Sequence, residues 1–600
     1  MPKVARLARQ FLPWLAFAGA LLLALWAGQS KAPALWTNAP GWSRARLVTT
    51  IAAEPGRPQA APLAVDDQGG LYLFTMAAEG GVTRPELIAL RRDATIAWRH
   101  SFASPVVSPQ QLQLVWDGSL LHLFWLSEGQ LYTAKIGQAG DAPQQPRLIS
   151  GAATVESYAV AGVDGALHLW YAGPQATPGI YAMPAGDLAG PAQLIDGAGT
   201  RPLLRVDQAG LLHAAWLVWP QAEQPAIWYG AYAADGTPSG LPLRLAELQV
   251  ASADDAIEGL VFGVDQAAGY LLWTVRVMTG RNAGAFYTQY LSFPLSAPQQ
   301  ATPPAPLSVP NGAALSYRPL AGQSLQAGPW VAIDSRGAAS STPPTSCSVN
   351  QSAAPNLALA CQAQVQHRYN QQISQVSTLL FQTGQPTGYQ LISFGLSGAY
   401  APTLVSDQSQ QLYLTWVSLQ DSGFAIYLAS SAPDMIAALG ALTLDDLGRI
   451  SFEVIFGMLI GMIFTPFTAL LWSVVPLVLL AITGPLRGDR PELSYWATLL
   501  SLGLAIAAYW AGKWRLLGQA QTYVPFSAWI PDIPDWLGLP LQVGVPALVT
   551  GLALWLAWRY TYRRQTAGAL TFMLIYIGVD ALLTMALYGG ILVGAFYPQG

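Results

Sequence analysis

The 600-residue sequence is short of charge and nearly devoid of lysine. It carries 29 basic and 33 acidic side chains for a net charge of −4, and lysine occurs only as Lys3, Lys31, Lys135 and Lys513. Binding to a phosphate backbone needs clustered Lys and Arg, and no long basic run is present, so nucleic acid is excluded as a partner. The preference for arginine over lysine hints at a GC-rich bacterial genome.

Cysteine is almost absent as well. The only two cysteines are Cys347 and Cys361, both in the segment that we predict to be exported. A bond between them would close a loop of about 15 residues, worth roughly 3 kcal/mol in the chain-entropy model. An even count in an oxidising compartment favours this disulfide, the alternative being two free buried thiols.

The motifs that usually mark chemistry are also missing from the sequence. It has no phosphate-cradling glycine loop, no metal-spaced Cys/His cluster and no serine nucleophile elbow. We therefore predict no catalytic residue, no metal site and no cofactor, and favour a protein that is not an enzyme.

Apolar residues concentrate at the two ends of the chain. Phe11 to Ala27 forms an apolar run behind Lys3, Arg6 and Arg9, a basic flank that holds the N-terminus in the cytoplasm. We expect an uncleaved signal anchor within residues 1–30, with a cleaved signal peptide as the alternative. After a linker at 31–49, the chain is exported in either case.

Residues 452–600 contain four hydrophobic segments, each long enough to cross a bilayer with about 20 residues. The predicted spans of this four-helix transmembrane domain are Phe452–Ile482, Ser494–Gly512, Leu539–Trp558 and Ala567–Ala595. Residues 431–451 are a juxtamembrane linker or helix.

The arginines between these segments predict the orientation. Arg487 and Arg490 separate the first two segments, and Arg559, Arg563 and Arg564 separate the last two. Basic loops stay in the cytoplasm. We therefore expect a multi-pass protein of the bacterial cell membrane, with a cytoplasmic N-terminus and with residues 50–430 and the C-terminus outside.

Asp580 is the polar residue that stands out in the transmembrane region. It lies near the middle of the last segment, with Tyr576 and Thr584 one turn away on the same face. A carboxylate at that depth is expensive and must face the bundle interior. It is either a proton- or ion-handling site, a polar clamp to a partner subunit, or a hydrogen-bonded structural acid.

Two pairs of glycines predict close helix packing. Gly457 and Gly461 lie in the first C-terminal segment, and Gly590 and Gly594 lie in the last. By the topology above, both pairs fall in the outer leaflet, where small residues allow two antiparallel helices to approach closely.

Residues 50–430 contain no long helical pattern and repeat a short unit instead. The unit is an apolar strand ending in Asp, a turn often containing Gly, and an alternating strand with Leu, then Tyr or His, then often Trp. The Asp positions of its copies are Asp66, Asp117, Asp164, Asp207, Asp265, Asp334 and Asp407. Their spacing of 43 to 73 residues fits a four-stranded propeller blade, with additions in the late copies.

Each unit is predicted to be a tight β-hairpin in which Asp caps the turn and Gly supplies positive φ. The fold class is therefore an all-β propeller of six to eight blades, with seven favoured, and a long sandwich array is the alternative. The Pro/Ser-rich stretch Ala301–Ser308 and the Cys347–Cys361 loop are expected to be surface insertions.

Three histidines, His122, His168 and His213, occupy the same place in three units. A shared metal site is one interpretation, but equivalent residues of a repeat lie on different blades. Strand packing with a polar tip is favoured, because Tyr72 and Tyr413 stand at the same place in other units. The aspartates are likewise interpreted as turn caps and not as calcium ligands, since one carboxylate per turn is too few.

The hairpin Asp-x-x-Gly-x-Leu-His/Tyr-x-x-Trp, followed by an Ile-Tyr strand, resembles the repeats of the sialidase-like propeller superfamily, which are related to Asp-box repeats. Catalytic members use three arginines, a Tyr–Glu nucleophile pair and an acidic proton donor, and carry an Arg-Ile-Pro-like motif. The nearest matches here are Arg84-Pro85 and Arg201-Pro202, neither in that form. The resemblance therefore implies the fold and not the activity.

These features favour a membrane-anchored cell-surface propeller that acts as a binding or scaffold module for a protein or a glycan. Four helices are more than anchoring needs, so a membrane complex with a protein partner is expected besides the lipid bilayer. A glycoside hydrolase of sialidase-like type is one alternative. A sensor or transport component that uses Asp580 is the other.

Overall fold

The computed structural model describes most of the chain after residue 40. The described ranges are 41–51, 59–79, 82–310, 331–332, 341–350, 356–366, 372–393, 398–420, 423–440, 444–483, 491–517, 535–563 and 568–596, apart from gaps at 142, 152, 164, 175–177, 184–187, 189, 220–223, 251 and 253. The predicted N-terminal anchor lies outside these residues.

Antiparallel sheets, the blades, follow one another along the chain. The first blade contains β2 Leu63–Val65, β3 Leu71–Glu79, β4 Val82–Leu90 and β5 Ile96–Ser101. The second contains β6 Gln110–Trp116, β7 Leu120–Ser127, β8 Gln130–Gly137 and β9 Gln144–Leu148. The third contains β10 Ser157–Val163, β11 Ala166–Ala172, β12 Ile180–Met183 and β13 Gln193–Asp196.

The next two blades repeat this order. The fourth contains β14 Gly199–Val206, β15 Leu212–Val218, β16 Ala226–Tyr232 and β17 Leu243–Glu247. The fifth contains β18 Ala256–Val264, β19 Ala268–Arg276, β20 Phe286–Pro294 and β21 Ala305–Leu307, with a short 3-10 helix at Pro298–Gln300.

The sixth blade has five strands. They are β23 Val331–Ala332, β25 Thr345–Val349, β26 Leu357–Gln366, β27 Gln372–Gln382 and β28 Gln385–Leu391, with β23 paired to the outer edge of β28. A separate pair consists of β22 Val309–Pro310 and β24 Ser341–Thr342.

The seventh blade closes the ring with a strand from each end of the domain. It contains β29 Ala399–Ser406, β30 Leu412–Gln420, β31 Gly423–Ser430 and the first described strand, β1 Arg46–Ile51. β1 pairs with β31 from Arg46 opposite Leu428 to Ile51 opposite Phe424.

The first strands of successive blades contact one another from β2 through β6, β10, β14, β18 and β25 to β29, and β29 returns to β2. The predicted propeller is confirmed, with seven blades, and the sandwich array is wrong.

Large aromatic side chains fill the spaces between blades. Trp125 packs edge-on against Phe74 of the first blade, with ring centroids 6.1 Å apart. Trp170 of the third blade lies 6.2 Å from Trp216 of the fourth. Such rings supply most of the apolar area that holds neighbouring sheets together, so the tryptophans of the repeat belong to the core.

Both segments expected to be surface insertions contribute to blades instead. Ala305–Leu307 is the fourth strand of the fifth blade, and Leu307 is buried. Cys347 and Cys361 stand on β25 and β26, where they form a disulfide. The extra length of the late repeats therefore adds strands, a difference that composition alone does not reveal.

The C-terminal region is helical. Its helices are α1 Pro433–Gly440, α2 Leu444–Thr483, α3 Pro491–Leu517, α4 Asp535–Arg563 and α5 Ala569–Phe596. Within the described residues, three of them contain stretches long and apolar enough to cross a membrane, namely Met458–Thr483, Pro540–Thr561 and Ala569–Gly589. These stretches support association with a lipid bilayer.

α2 runs unbroken through Pro466 and Pro476, and α3 continues past the predicted end at Gly512. Lys513 therefore lies within the helix.

Candidate functional site

The path of the chain gives the propeller two distinct faces. In each blade the first strand runs towards the turn that joins it to the second strand, so the Asp turns share one face, named here the proximal face. The chain enters and leaves at this face, since the Ser43 N–H donates to the Ser430 carbonyl at 2.6 Å. The opposite face, where the first strands begin, is named the distal rim.

α1 follows β31 directly in the chain and lies at the proximal face. Met435 is buried in one cluster with Leu71 and Leu90 of the first blade. Arg92, in the turn between β4 and β5, pairs with Asp434 at 3.3 Å on the surface. The helix is thus packed beneath the propeller before α2 begins.

The described Asp turns share one geometry. One carboxylate oxygen accepts backbone N–H groups of the turn, as when Asp66 Oδ1 accepts from Gln68 and Gly70 at 2.9 and 2.7 Å. Asp207 Oδ1 accepts from Ala209 and Leu211 at 2.8 and 2.9 Å in the same way. The turn-capping interpretation thus describes what these carboxylates do.

The second oxygen of each carboxylate binds the Tyr or His of the following strand. Tyr72 donates to Asp66 at 2.9 Å, and Tyr270 donates to Asp265 at 2.6 Å. His122 and His213 contact Asp117 and Asp207 at 2.5 and 3.0 Å. This position therefore holds a specific hydrogen bond and is more than a packing residue.

The same polar groups also reach the next blade. Tyr270 Oη accepts the Gly384 N–H of the sixth blade at 3.1 Å. His168 Nε2 lies 2.9 Å from the Ala234 carbonyl of the fourth blade. Gln138 of the second blade donates to Asp66 at 3.1 Å. The proximal face is consequently a chain of inter-blade hydrogen bonds.

Burial disfavours the protonated forms of His122 and His168. It lowers the pKa of His122 and, likewise, that of His168 below the usual value. Burial and the Asp207 carboxylate raise the pKa of Tyr229, which bonds to His213 Nδ1 at 2.7 Å, to about 12. In the part of the chain that the structure describes, no group of three His, Cys, Asp or Glu side chains is placed to hold a metal ion.

The distal rim carries a different recurring feature. Five of the first strands contain a β-bulge near their start, each with one residue at positive φ; these residues are Gln111, Arg201, Gly259, Ser346 and Ala401. Bulges re-aim side chains and often surround functional sites, and strained backbone persists where the surroundings enforce it.

The bulges turn some side chains towards the neighbouring blade. Gln111 donates to the Glu156 carbonyl at 2.9 Å, and Arg201 donates to the Ile257 carbonyl. Arg84, the other arginine weighed against the Arg-Ile-Pro motif, lies on β4, the third strand of the first blade. The two arginines therefore stand on different blades and in different strand positions.

A mixed aromatic and charged patch lies at the distal end of the fifth blade. The Arg276 guanidinium sits 5.6 Å above the Phe286 ring and 3.8 Å from the Glu258 carboxylate. Phe286 and Met278 are 37% and 46% exposed. Val107 and Leu419 are exposed on the distal ends of other blades. We name the group Glu258, Arg276, Met278 and Phe286 the blade-5 patch.

The helical region contains a buried polar cluster around Asp580. The carboxylate accepts hydrogen bonds from Tyr509 at 2.7 Å, from Lys513 at 2.5 Å and from Thr550 at 3.2 Å. Asp580 is 0% and Lys513 3% exposed. Tyr576 and Thr584, singled out with Asp580 in the sequence, are also buried.

Lys513 is the partner that sequence reasoning missed. It stands 67 positions from Asp580 on another helix. A signal was available, because Lys513 is the one lysine between residue 135 and the C-terminus and borders a predicted span. Its position just past the predicted end of an apolar segment gave no reason to pair it with Asp580.

α2 and α5 touch at a pair of glycines. A Cβ at Gly461 would collide with the Met585 carbonyl and come within 2.9 Å of the Gly589 Cα. Gly461 belongs to the predicted packing set, whereas the α5 contact is Gly589, next to the predicted Gly590. The side-chain surroundings of Gly457, Gly590 and Gly594 lie outside the described residues, as do Asp164 and Asp334.

No protein-family model matches the chain, and no curated protein matches it. Several solved structures are similar to the chain at low identity. A polysaccharide lyase of family PL25, an ulvan lyase, is 9% identical with a TM-score of 0.40, covering 66% of this chain and 99% of that chain.

Two further solved propellers show a similar degree of likeness. A subtype N10 neuraminidase-like protein of A/little yellow-shouldered bat/Guatemala is 9% identical with a TM-score of 0.31, covering 54% and 95%. An α-L-arabinofuranosidase from Fusarium graminearum is 8% identical with a TM-score of 0.35, covering 65% and 97%. By its own strand pairing, the described chain is a seven-bladed β-propeller followed by a helical region with three apolar helices.

Proposed function

We propose that this protein is a membrane-anchored cell-surface recognition module, which binds a glycan or a protein at the distal rim of its propeller. The proposal rests on where the chain enters and leaves the propeller. Both connections of the propeller leave from the proximal face, so tethering through them keeps that face near the bilayer. The distal rim then faces away from the membrane and stays accessible.

The side chains at the rim fit a binding role. Exposed apolar groups at Val107, Met278, Phe286 and Leu419 accompany the Arg276–Glu258 pair, a mixture that suits recognition of a partner. Aromatic rings next to arginine are common anchors of binding surfaces, because they bury large area at small entropic cost. The bulged first strands hold this surface on a rigid ring.

The helical region supports assembly in the membrane. α2, α4 and α5 each supply an apolar stretch, and one stretch would suffice as an anchor. We propose that the additional helices join a protein complex in the bacterial cell membrane. The N-terminus and the loop with Arg487 and Arg490 are then cytoplasmic, following the basic-loop preference. So is Arg564, together with Arg559 and Arg563, which lie in the last turns of α4 and not in the predicted loop.

The two alternatives receive less support from the described residues. Hydrolysis of the sialidase-like type uses a Tyr–Glu nucleophile pair and an acidic proton donor, whereas both carboxylate oxygens of Asp255 at the rim accept backbone N–H groups. A sensor or transport role for Asp580 requires a carboxylate free to exchange its partner. Asp580 instead accepts three side-chain donors.

The test is binding by the full chain in lipid nanodiscs, on a glycan array and by co-purification of protein partners in mild detergent. Arg276→Ala and Phe286→Ala are expected to weaken binding at least several-fold. Leu211→Ala is the matched control, because Leu211 is 36% exposed, as Phe286 is 37%, but lies in a proximal turn.

The results separate the possible functions. Binding that survives both rim substitutions and is lost with Leu211→Ala would contradict a distal site. Release of sugar product from any bound glycoside would establish a hydrolase and overturn the recognition role.

A further inference from the structure

α3 has the side-chain distribution of a helix in lipid, although it is not among the three apolar candidates. Its buried stripe consists of Ser501, Ala505, Tyr509 and Lys513, which recur every fourth residue. Its outward side shows Leu499, Leu500 and Leu504, exposed by 43%, 70% and 54%. Polar residues inside and leucines outside are the reverse of a water-soluble amphipathic helix.

The length of α3 also fits a crossing. Its 27 residues extend about 40 Å at 1.5 Å per residue, more than the hydrocarbon core of a bilayer. It packs against α2 and α5, which each contain an apolar stretch. α3 also carries Glu492 and Arg515 near its ends, and Arg515 is exposed, so the buried charge that needs compensation is that of Lys513.

Lys513 is neutralised by contacts from the other helices. Its ammonium lies 2.5 Å from Asp580 of α5, and 5.9 Å from the ring of Trp472 of α2. Thr550 of α4 donates a further hydrogen bond to the Asp580 carboxylate at 3.2 Å. The cluster therefore joins α2, α3, α4 and α5 around one ion pair.

The energetics of the two charges are coupled. An unpaired lysine or carboxylate inside a bilayer is strongly unfavourable, and removal of one partner leaves the other uncompensated. Without the lysine, the Asp580 carboxylate can become neutral, because it can take up a proton and still accept hydrogen bonds from Tyr509 and Thr550. Among the described residues the Lys513 ammonium has one hydrogen-bond acceptor, Asp580, so the lysine depends on this pair more completely.

We propose that the Lys513–Asp580 pair is an insertion lock: α3 enters the bilayer as a fourth crossing helix by pairing its lysine with Asp580 of α5. The inference rests on the helical region lying in a membrane and does not depend on what the propeller binds. It assigns Asp580 an assembly role, in which its charge recognises one helix.

The experiment follows the side of the membrane reached by the residues that flank α3. Gly488→Cys, before α3, and Ser527→Cys, after it, are introduced one at a time into the full chain and probed with a membrane-impermeant maleimide in sealed vesicles. Cys347 and Cys361 are bonded to each other and do not react. Opposite accessibility of the two reporters is expected.

Asp580→Met should abolish this difference, so that both reporters react from one side. The double variant Lys513→Met with Asp580→Met removes both charges and should restore the opposite accessibility. Lys513→Met alone should change the accessibility of the two reporters several-fold less than Asp580→Met does. Thr584→Val is the matched control, since Thr584 is buried one turn from Asp580 and its hydroxyl has no hydrogen-bond partner among the described residues.

The outcomes decide the inference. Unchanged accessibility of the two reporters in Asp580→Met would overturn it. So would a double variant in which both reporters react from one side, as they do in Asp580→Met. If Asp580→Met is degraded before labelling, recovery of the double variant to normal abundance supports the lock, and loss of both contradicts it. A failed rim-binding experiment leaves these readouts unaffected.

Discussion

Aspartate is used differently in the propeller and in the helical region. In the propeller, Asp66 and Asp265 sit at turns, where one oxygen caps backbone N–H groups and the other accepts from a tyrosine. In the helical region, Asp580 is wholly buried, and its described donors are side chains of other helices. The same side chain thus takes most of its donors from its own hairpin in the propeller and from distant helices in the helical region.

The contrast shows how the surroundings set the reach of a polar group. A turn has unpaired N–H groups of its own, so a nearby carboxylate gains roughly 1 kcal/mol per hydrogen bond without a distant partner. A helix consumes its backbone groups internally, and a charge at its centre costs about 2.5–3.5 kcal/mol on insertion scales unless another helix compensates it. Asp580 therefore couples residues far apart in sequence.

The largest effect expected outside the Asp580 cluster comes from the covalent link in the propeller. Replacing Cys347 and Cys361 together by Ala should lower the free energy of unfolding of the propeller by about 3 kcal/mol. The helical region should keep its stability. Thermal unfolding of the full chain in detergent, followed by protease susceptibility of each region, measures both.

Reductant supplies the control for this prediction. Reductant should lower the unfolding temperature of the wild-type propeller and leave the double variant unchanged. Equal melting temperatures of the wild type and the double variant would show that the disulfide adds nothing to the blade.

A smaller effect is expected from close packing between α2 and α5. Gly461→Ala places a Cβ against the Met585 carbonyl, so it should destabilise the helical region by about 1–3 kcal/mol through overpacking. The measurement is thermal loss of helical circular dichroism in detergent, and the propeller should not respond.

Gly503→Ala is the matched control in α3, because its added Cβ meets nothing within 4 Å. Alanine is the better helix former, so this variant should be unchanged or up to about 1 kcal/mol more stable. An equal loss of thermal stability in Gly461→Ala and Gly503→Ala would show that the glycine contact does not stabilise the helical region.

The smallest effect concerns the inter-blade hydrogen bonds. Tyr270→Phe removes the hydroxyl between Asp265 and the Gly384 N–H and should cost the propeller about 1–2 kcal/mol. Tyr132→Phe is the control, since among the described residues its hydroxyl bonds to Gln130 alone, two residues away, and it should change stability by less than about 0.5 kcal/mol. Denaturant unfolding of the propeller distinguishes the two.

The local parts of the structure could be predicted from the sequence. The Asp turns can be recognised in the sequence because the capping Asp, the glycine and the alternating strand all lie within ten residues. The blades can then be predicted from the recurrence of these turns. The helices follow from apolar length. Asp580 is recognisable as an outlier by its charge alone.

The long-range parts could not be predicted in the same way. The five-stranded sixth blade depends on pairing of β23 with β28, and no local pattern encodes such a register. The Lys513–Asp580 pair joins two helices with another between them in sequence. The Tyr and His bonds to the next blade depend likewise on packing between repeats.

Imaging the full chain in a lipid nanodisc by single-particle electron microscopy tests the central claim most directly. The account predicts that the Asp turns and α1 face the disc, that the blade-5 patch points away, and that α3 crosses the lipid beside α2 and α5. A propeller with its distal rim against the disc, or α3 lying outside the lipid, would contradict the account.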